Sequence, residues 1–283
     1  MIEAGVGLAL AAAALHGTWN VMVKVAGDPV ATFRRVTIVS AAVATVVLVP
    51  EWLILGRPQV PASAVALCFL SAALESIYLL LLSTAYRRGE LSAVYPIARG
   101  SAPLLAVAAG LLLLGERLSP PQLVGVALLL LGILAVTISQ AGGRATLPAL
   151  LTGVAIATYT SVDRVGVRLT APWFYAWLLF TLMAIELPLF TWVSSRLGLL
   201  KGPSTSAPTW RQSGLIGAFM WAGYFLALWA LSLAPLAVVA PVRETAVVAV
   251  AVWGVWRLGE RSRAGVKLSG AVATLAGVAL LAL

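Results

Sequence analysis

Long apolar runs along the chain are separated by short clusters of charged residues, glycine and proline. A helix of about 20 apolar residues crosses the hydrocarbon core of a bilayer, and cutting the chain at those clusters leaves ten segments of that kind. Their limits are 5–24, 31–50, 61–86, 91–114 and 120–139, then 147–168, 172–195, 212–233, 236–257 and 265–283. The pattern predicts an all-α polytopic membrane protein with almost nothing left over for a soluble domain. Residues 196–211, rich in proline, serine and threonine, read as a loop, and 140–146 read as a linker. Two five-helix repeats are expected, covering 1–140 and 144–283.

A second pattern supports that division. Tyr95-Pro96-Ile97-Ala98-Arg99, leading to Gly115-Glu116-Arg117, returns in outline as Ala240-Pro241-Val242-Arg243, leading to Gly259-Glu260-Arg261. Each arginine lies 16 residues before the glycine of its Gly-Glu-Arg triplet, and the copies are 144 residues apart in a chain of 283. A repeat with an odd number of spans must enter the membrane in the opposite sense to its copy. The expected symmetry is therefore a pseudo-two-fold axis in the membrane plane, with the fourth and ninth spans facing each other near mid-bilayer.

Composition agrees. The hydrophobic share is 61% and the charged share 10%, with a mean hydropathy of +1.01, far from the apolar share of about 45 to 50% in soluble domains. The net charge of +9 is spread over short loops, which points to anchoring beside anionic lipid rather than to nucleic acid. The first apolar run has no basic leader and carries His16, Trp19 and Asn20, so it reads as a retained span rather than a cleaved signal. Cys68, the single cysteine, reads as a packing residue. One histidine, one cysteine and the absence of Gly-x-Ser-x-Gly, His-Glu-x-x-His and phosphate-loop motifs leave no catalytic or metal cluster to assign, and no cofactor is expected.

The ten spans, the duplicated triplet followed by a glycine-bearing helix (Gly125, Gly132; Gly270, Gly277) and the opening His16-Gly17-Thr18-Trp19-Asn20 resemble the EamA branch of the drug/metabolite transporter superfamily. The likeness covers the whole chain, and it implies a secondary transporter in the cytoplasmic membrane. Members carry amino acids, amines, nucleotide sugars and other metabolites. The connection between spans two and three holds only Arg57, where relatives are often basic. Orientation divides the signals: thirteen lysines and arginines count toward the odd-numbered connections and only four, Arg57, Arg117, Arg164 and Arg168, toward the even ones, which places both termini outside, whereas the resemblance implies both inside.

Ionised groups at mid-bilayer cost about 2.5 to 3.5 kcal/mol each on insertion scales, so they usually face a cavity or a partner. Glu75, Arg99, Asp163, Glu186, Arg243 and Glu244 are such groups. His16, Asn20 and Lys24 form one stripe of the first helix beside Trp19. Ser71, Glu75 and Tyr78 share a face of the third span, and Ser92, Tyr95 and Arg99 share one of the fourth. Trp221, Tyr224, Phe225 and Leu228 form an aromatic stripe on the eighth. Each group has a structural alternative: Arg99 pairing with Glu75, Arg243 with Glu244 or Glu186, the aromatics as packing, and Glu116 and Glu260 bracing turns. Pro96, Pro103, Pro235 and Pro241 flank the arginines and predict kinks.

The expected site comprises His16, Trp19, Asn20, Glu75, Tyr78, Tyr95, Arg99, Trp221, Tyr224, Arg243 and Glu244. The arginines would hold an anionic group, since guanidinium is a planar fork of donors suited to carboxylate or phosphate. Glu75, Asp163 and Glu186 are the candidates for proton coupling. A small zwitterionic or anionic metabolite such as an amino acid fits this mixture, carried by alternating access as monomer or homodimer. The rival readings are a transporter of amines or quaternary ammonium compounds through the aromatics, and, further off, a lipid scramblase or a non-transporting scaffold.

Overall fold

A computed structural model describes residues 1–88, 91–138, 146–198, 200, 206–246, 248 and 264–281. Ten α-helices run through them: α1 (Ile2–Val25), α2 (Pro29–Leu55), α3 (Ala62–Arg88), α4 (Leu91–Ala108), α5 (Pro120–Ile138), α6 (Thr146–Gly166), α7 (Pro172–Arg196), α8 (Trp210–Leu233), α9 (Leu236–Arg243) and α10 (Ala264–Leu281). A π-helical turn, Ala109–Leu113, extends α4. No strand occurs among the described residues. Local chemistry sets several ends. Asp28 accepts the Ala31 N–H at 3.0 Å and Pro29 opens α2, a capping arrangement that satisfies a free amide. Thr209 and Gln212 form a capping box at the start of α8.

Among the described residues, five helices, α1, α2, α3, α7 and α8, are long and apolar enough to cross a membrane, and three shorter apolar helices accompany them. Large apolar side chains such as Leu53, Ile54, Leu112 and Leu113 are exposed, as lipid-facing positions are. The chain is a multi-pass membrane protein.

Helix pairing carries the internal symmetry. α1 packs on α8 and α9, and α6 packs on α3 and α4; α2 packs on α8, and α7 on α3. The pairs α2–α7, α4–α9 and α5–α10 map onto themselves when the halves are exchanged. Each half thus builds its core from the other, an inverted repeat that the odd span count predicts. Lipid tails are as apolar as leucine, so tight helix association in a bilayer relies on small residues that let backbones approach. The glycines of α5 and α10 serve that end: a Cβ on Gly277 would lie 2.6 Å from the Gly125 carbonyl oxygen.

Two expectations change. The span 236–257 is not one straight helix, because α9 stops at Arg243 and the backbone turns through Glu244 and Thr245. Pro241 has no N–H to donate, and the Glu244 amide bonds to both Ala240 and Pro241 carbonyls. Arg164, read as a loop cation, lies inside α6 and is 8% exposed.

Candidate substrate site

α9 presents its broken end at the centre of the bundle, where Arg243 sits in the last turn and Glu244 just beyond it, 3% and 2% exposed. A cation is favoured there, because the terminal carbonyls carry partial negative charge. From the facing half, α4 brings Arg99. That close approach depends on Gly153 of α6, where a Cβ would stand 3.0 Å from the Ala98 carbonyl oxygen.

The two arginines are not equivalent. Arg99 donates from Nη1 to Glu244 Oε1 at 3.0 Å and from Nη2 to the Tyr78 hydroxyl at 2.8 Å, and Nη2 also meets His16 Nε2. Its partner carboxylate is Glu244, from the opposite repeat, rather than Glu75. Arg243 shares the same carboxylate, with Nε 3.5 Å from Glu244 Oε1, and lies over the Tyr224 ring at 5.8 Å. Among the described residues, however, Arg243 Nε and Nη1 make no hydrogen bond. The same holds for Glu75 Oε1, Glu244 Oε2 and Trp221 Nε1. Buried polar atoms are nearly always paired, so this set of unmet donors and acceptors is what a polar ligand would complete.

Beside it, Asp163 of α6 is fully buried and accepts three hydroxyls: Ser71 and Tyr175 on Oδ1, Tyr175 at 3.0 Å, and Tyr224 on Oδ2. Glu75 stands next to the Tyr224 hydroxyl, within electrostatic reach of Asp163, Arg243 and Arg99. Tyr78, Tyr159 and Tyr224 form a ladder of rings 5.5 and 6.2 Å apart that links α3, α6 and α8. Among the described residues, the centre gathers three carboxyl groups (Glu75, Asp163, Glu244), two guanidinium groups and one imidazole. With every acid ionised and His16 neutral, it carries one excess negative charge.

The other candidates separate by role. Trp19 packs edge-on against His16 at 4.6 Å and Phe33 at 6.1 Å, and the Asn20 amide donates to the His16 carbonyl at 2.9 Å. Trp221 stacks on Phe225 with ring planes 3° apart. Glu186 is partly exposed on α7, and its Oε2 lacks a hydrogen bond among the described residues. The side chains of Tyr95, Ser92 and Lys24, and all of Glu260, lie outside the described residues. Glu116 caps the start of α9, where its carboxylate accepts the Leu236 and Ala237 amides. Tyr159 and Tyr175 are site residues that the sequence reading missed. Tyr159 lies one helical turn before Asp163, a spacing that would have flagged it. No cluster of three His, Cys, Asp or Glu side chains suited to a metal ion occurs among the described residues.

Comparison with known proteins identifies the architecture. The EamA-like transporter family matches twice, over residues 3–138 and 144–283. A crystal structure of another protein, 16% identical, superposes with a TM-score of 0.72 over 98% of this chain and 95% of its own, which establishes a shared fold. No curated protein matches the chain.

Proposed function

The chain belongs to the EamA-like transporter family, transporters of the drug/metabolite superfamily rather than enzymes, and on that premise we propose that it carries a small zwitterionic or anionic metabolite by alternating access. The observation that carries the reading is Arg243: a guanidinium buried at the repeat interface with Nε and Nη1 unbonded. In this reading it forks onto a substrate carboxylate. Arg99 and Glu244, already bonded to each other across the repeats, hold it in place. Glu75, with one oxygen unmatched, accepts the substrate amine, and the Tyr78–Tyr159–Tyr224 ladder shapes the wall. The cytoplasmic membrane is the proposed location.

A second reading rests on the charge count. One excess negative charge among the described residues of a buried site invites a cation, either an amine substrate or a proton on Glu75 or Asp163, the two candidates in contact with the site. Glu186, set apart on α7, is the weaker one.

Thermal stabilisation of purified protein across amino acids, organic anions, amines and nucleotide sugars separates the readings. A ligand at 100 times its Kd stabilises by about 2.7 kcal/mol. A shift with amino acids or anions that vanishes in a folded Arg243→Gln protein supports the carboxylate site. Shifts confined to amines, kept in Arg243→Gln and lost in Glu75→Gln, replace it with the cation reading.

A further inference from the structure

Away from the central site, a second buried charge pair ties four elements together at one end of the bundle. Gly115, with φ +63°, turns the chain after α4 so that Glu116 folds back over it. The Glu116 carboxylate then receives the first two amides of α9, Leu236 N–H at 2.7 Å on Oε1 and Ala237 N–H at 2.9 Å on Oε2. Arg164 Nε lies 2.9 Å from the same Oε1, and its Nη1 donates to the Leu231 carbonyl near the end of α8. One carboxylate thus caps the start of α9 while its partner cation caps the end of α8, the two polarities that helix ends favour. Both side chains are under 10% exposed. Gly110, in the π-helical turn, keeps the space open, since a Cβ there would stand 2.6 Å from Glu116 Oε2.

The clasp lies at the end of the bundle that holds the amino terminus, because Gly5 packs directly against Ala234 between α8 and α9. The opposite end is marked by the Asp28 N–H bonded to the Ser206 carbonyl before α8. Every element the clasp joins also carries a site residue: Arg99 on α4, Asp163 next to Arg164 on α6, Tyr224 on α8, Arg243 on α9. Its release would free both ends of the α8–α9 turn. At the 144-residue repeat distance the position of Arg164 is taken by Asn20, whose amide carries no charge, and that of Glu116 by Glu260, which lies outside the described residues.

We propose that Glu116 and Arg164 are positioning residues that latch the gate on the amino-terminal face. The proposal rests on the alternating-access reading. While the latch holds, α9 keeps Arg243 and Glu244 pointed at Arg99 and the amino-terminal face is shut; when it opens, α9 swings with the α8–α9 turn and exposes the site to that face.

The test uses reporters in a Cys68→Ser protein in nanodiscs without substrate. Ala240→Cys lies on α9 between the latch and Arg243 and is 6% exposed; Val23→Cys lies near the far end of α1 and is 0% exposed. With a water-soluble maleimide, Glu116→Gln should label Ala240→Cys at least tenfold faster and leave Val23→Cys unchanged or slower. Arg164→Lys should give a smaller rise of the same pattern. Equal acceleration at both positions would show general loosening and overturn the latch, as would no acceleration at Ala240→Cys. Hydrogen exchange on the unsubstituted protein answers even if the variants fail to fold. Amides 230–240 should open as a unit separate from 21–33, and joint opening overturns the proposal. None of these readouts involves ligand, so failure here leaves the Arg243 binding test standing.

Discussion

Glu244 offers the sharpest test of the central charge arrangement, because one carboxylate serves both arginines. Glu244→Gln keeps the side-chain shape and an acceptor for Arg99 but removes the negative charge. Its Oε1 lies 3.0 Å from Arg99 Nη1 and 3.5 Å from Arg243 Nε, with all three side chains at most 3% exposed. With charge centres about 4 Å apart and an effective dielectric near 20, each attraction is about 4 kcal/mol. The gross loss is therefore about 8 kcal/mol. Against it stands the relief of not desolvating one carboxylate, several kcal/mol. The net cost should fall at about 3 to 5 kcal/mol, the range for stripping a buried charge of its partner. For a chain of this size that is a fall in melting temperature of about 10 °C, read by thermal unfolding of detergent-purified protein. A double-mutant cycle with Arg99→Met should then show coupling of about 2 kcal/mol, because Arg99→Met removes one of the two cations whose partner was lost. A fall below about 2 °C, or losses that simply add, would refute the shared-carboxylate account.

Other substitutions probe separate parts of the structure. Gly277→Ala places a Cβ 2.6 Å from the Gly125 carbonyl oxygen and 2.8 Å from Leu129 N, so α5 and α10 must separate. A cost of about 1 to 3 kcal/mol is expected in thermal unfolding. Gly110→Ala pushes the Glu116 carboxylate off α9, which should cost about 1 kcal/mol of capping and reproduce the one-sided labelling of Glu116→Gln. Tyr224→Phe removes the hydroxyl between Asp163 and Glu75. It should lower stability by about 1.5 to 3 kcal/mol, the range for a hydrogen bond to a charged group, and a change under about 0.5 kcal/mol would contradict that bond.

The architecture was legible because the bilayer imposes it. A span must be apolar for about 20 residues, so ten spans and a repeat register could be counted directly. The duplicated Arg99 and Arg243 marked the axis for the same reason, since a cation in that environment needs a partner. Partner choice was less legible. Arg99 reaches Glu244 across 145 residues rather than Glu75, and helix periodicity says which residues share a face but not which faces meet. Arg164 was misplaced because a charged residue near the end of an apolar run looks like the start of a loop. Its burial depends on Glu116 and the Leu231 carbonyl, which enclose it from distant parts of the chain.

The duplicated sequence hides unequal roles, and the inequality has a physical origin. Both arginines compete for Glu244, which has no acidic counterpart in the first half, where Gly100 follows Arg99. Arg99, supported also by Tyr78 and His16, takes the shorter bond. Arg243 is left with the longer contact, an aromatic face and unmatched donors. The sequence at the latch differs between the repeats as well: Arg164 faces Glu116, and the residue 144 positions before Arg164 is Asn20. A strictly symmetric pair of repeats would make the two inward- and outward-facing states equal in energy. Here the two repeats differ in sequence at the central site and at the latch, so nothing holds the two states at equal energy. If the proposed cycle holds, a substrate that draws Arg243 away from Glu244 loosens the hold on α9 at one end, while Glu116 retains it at the other.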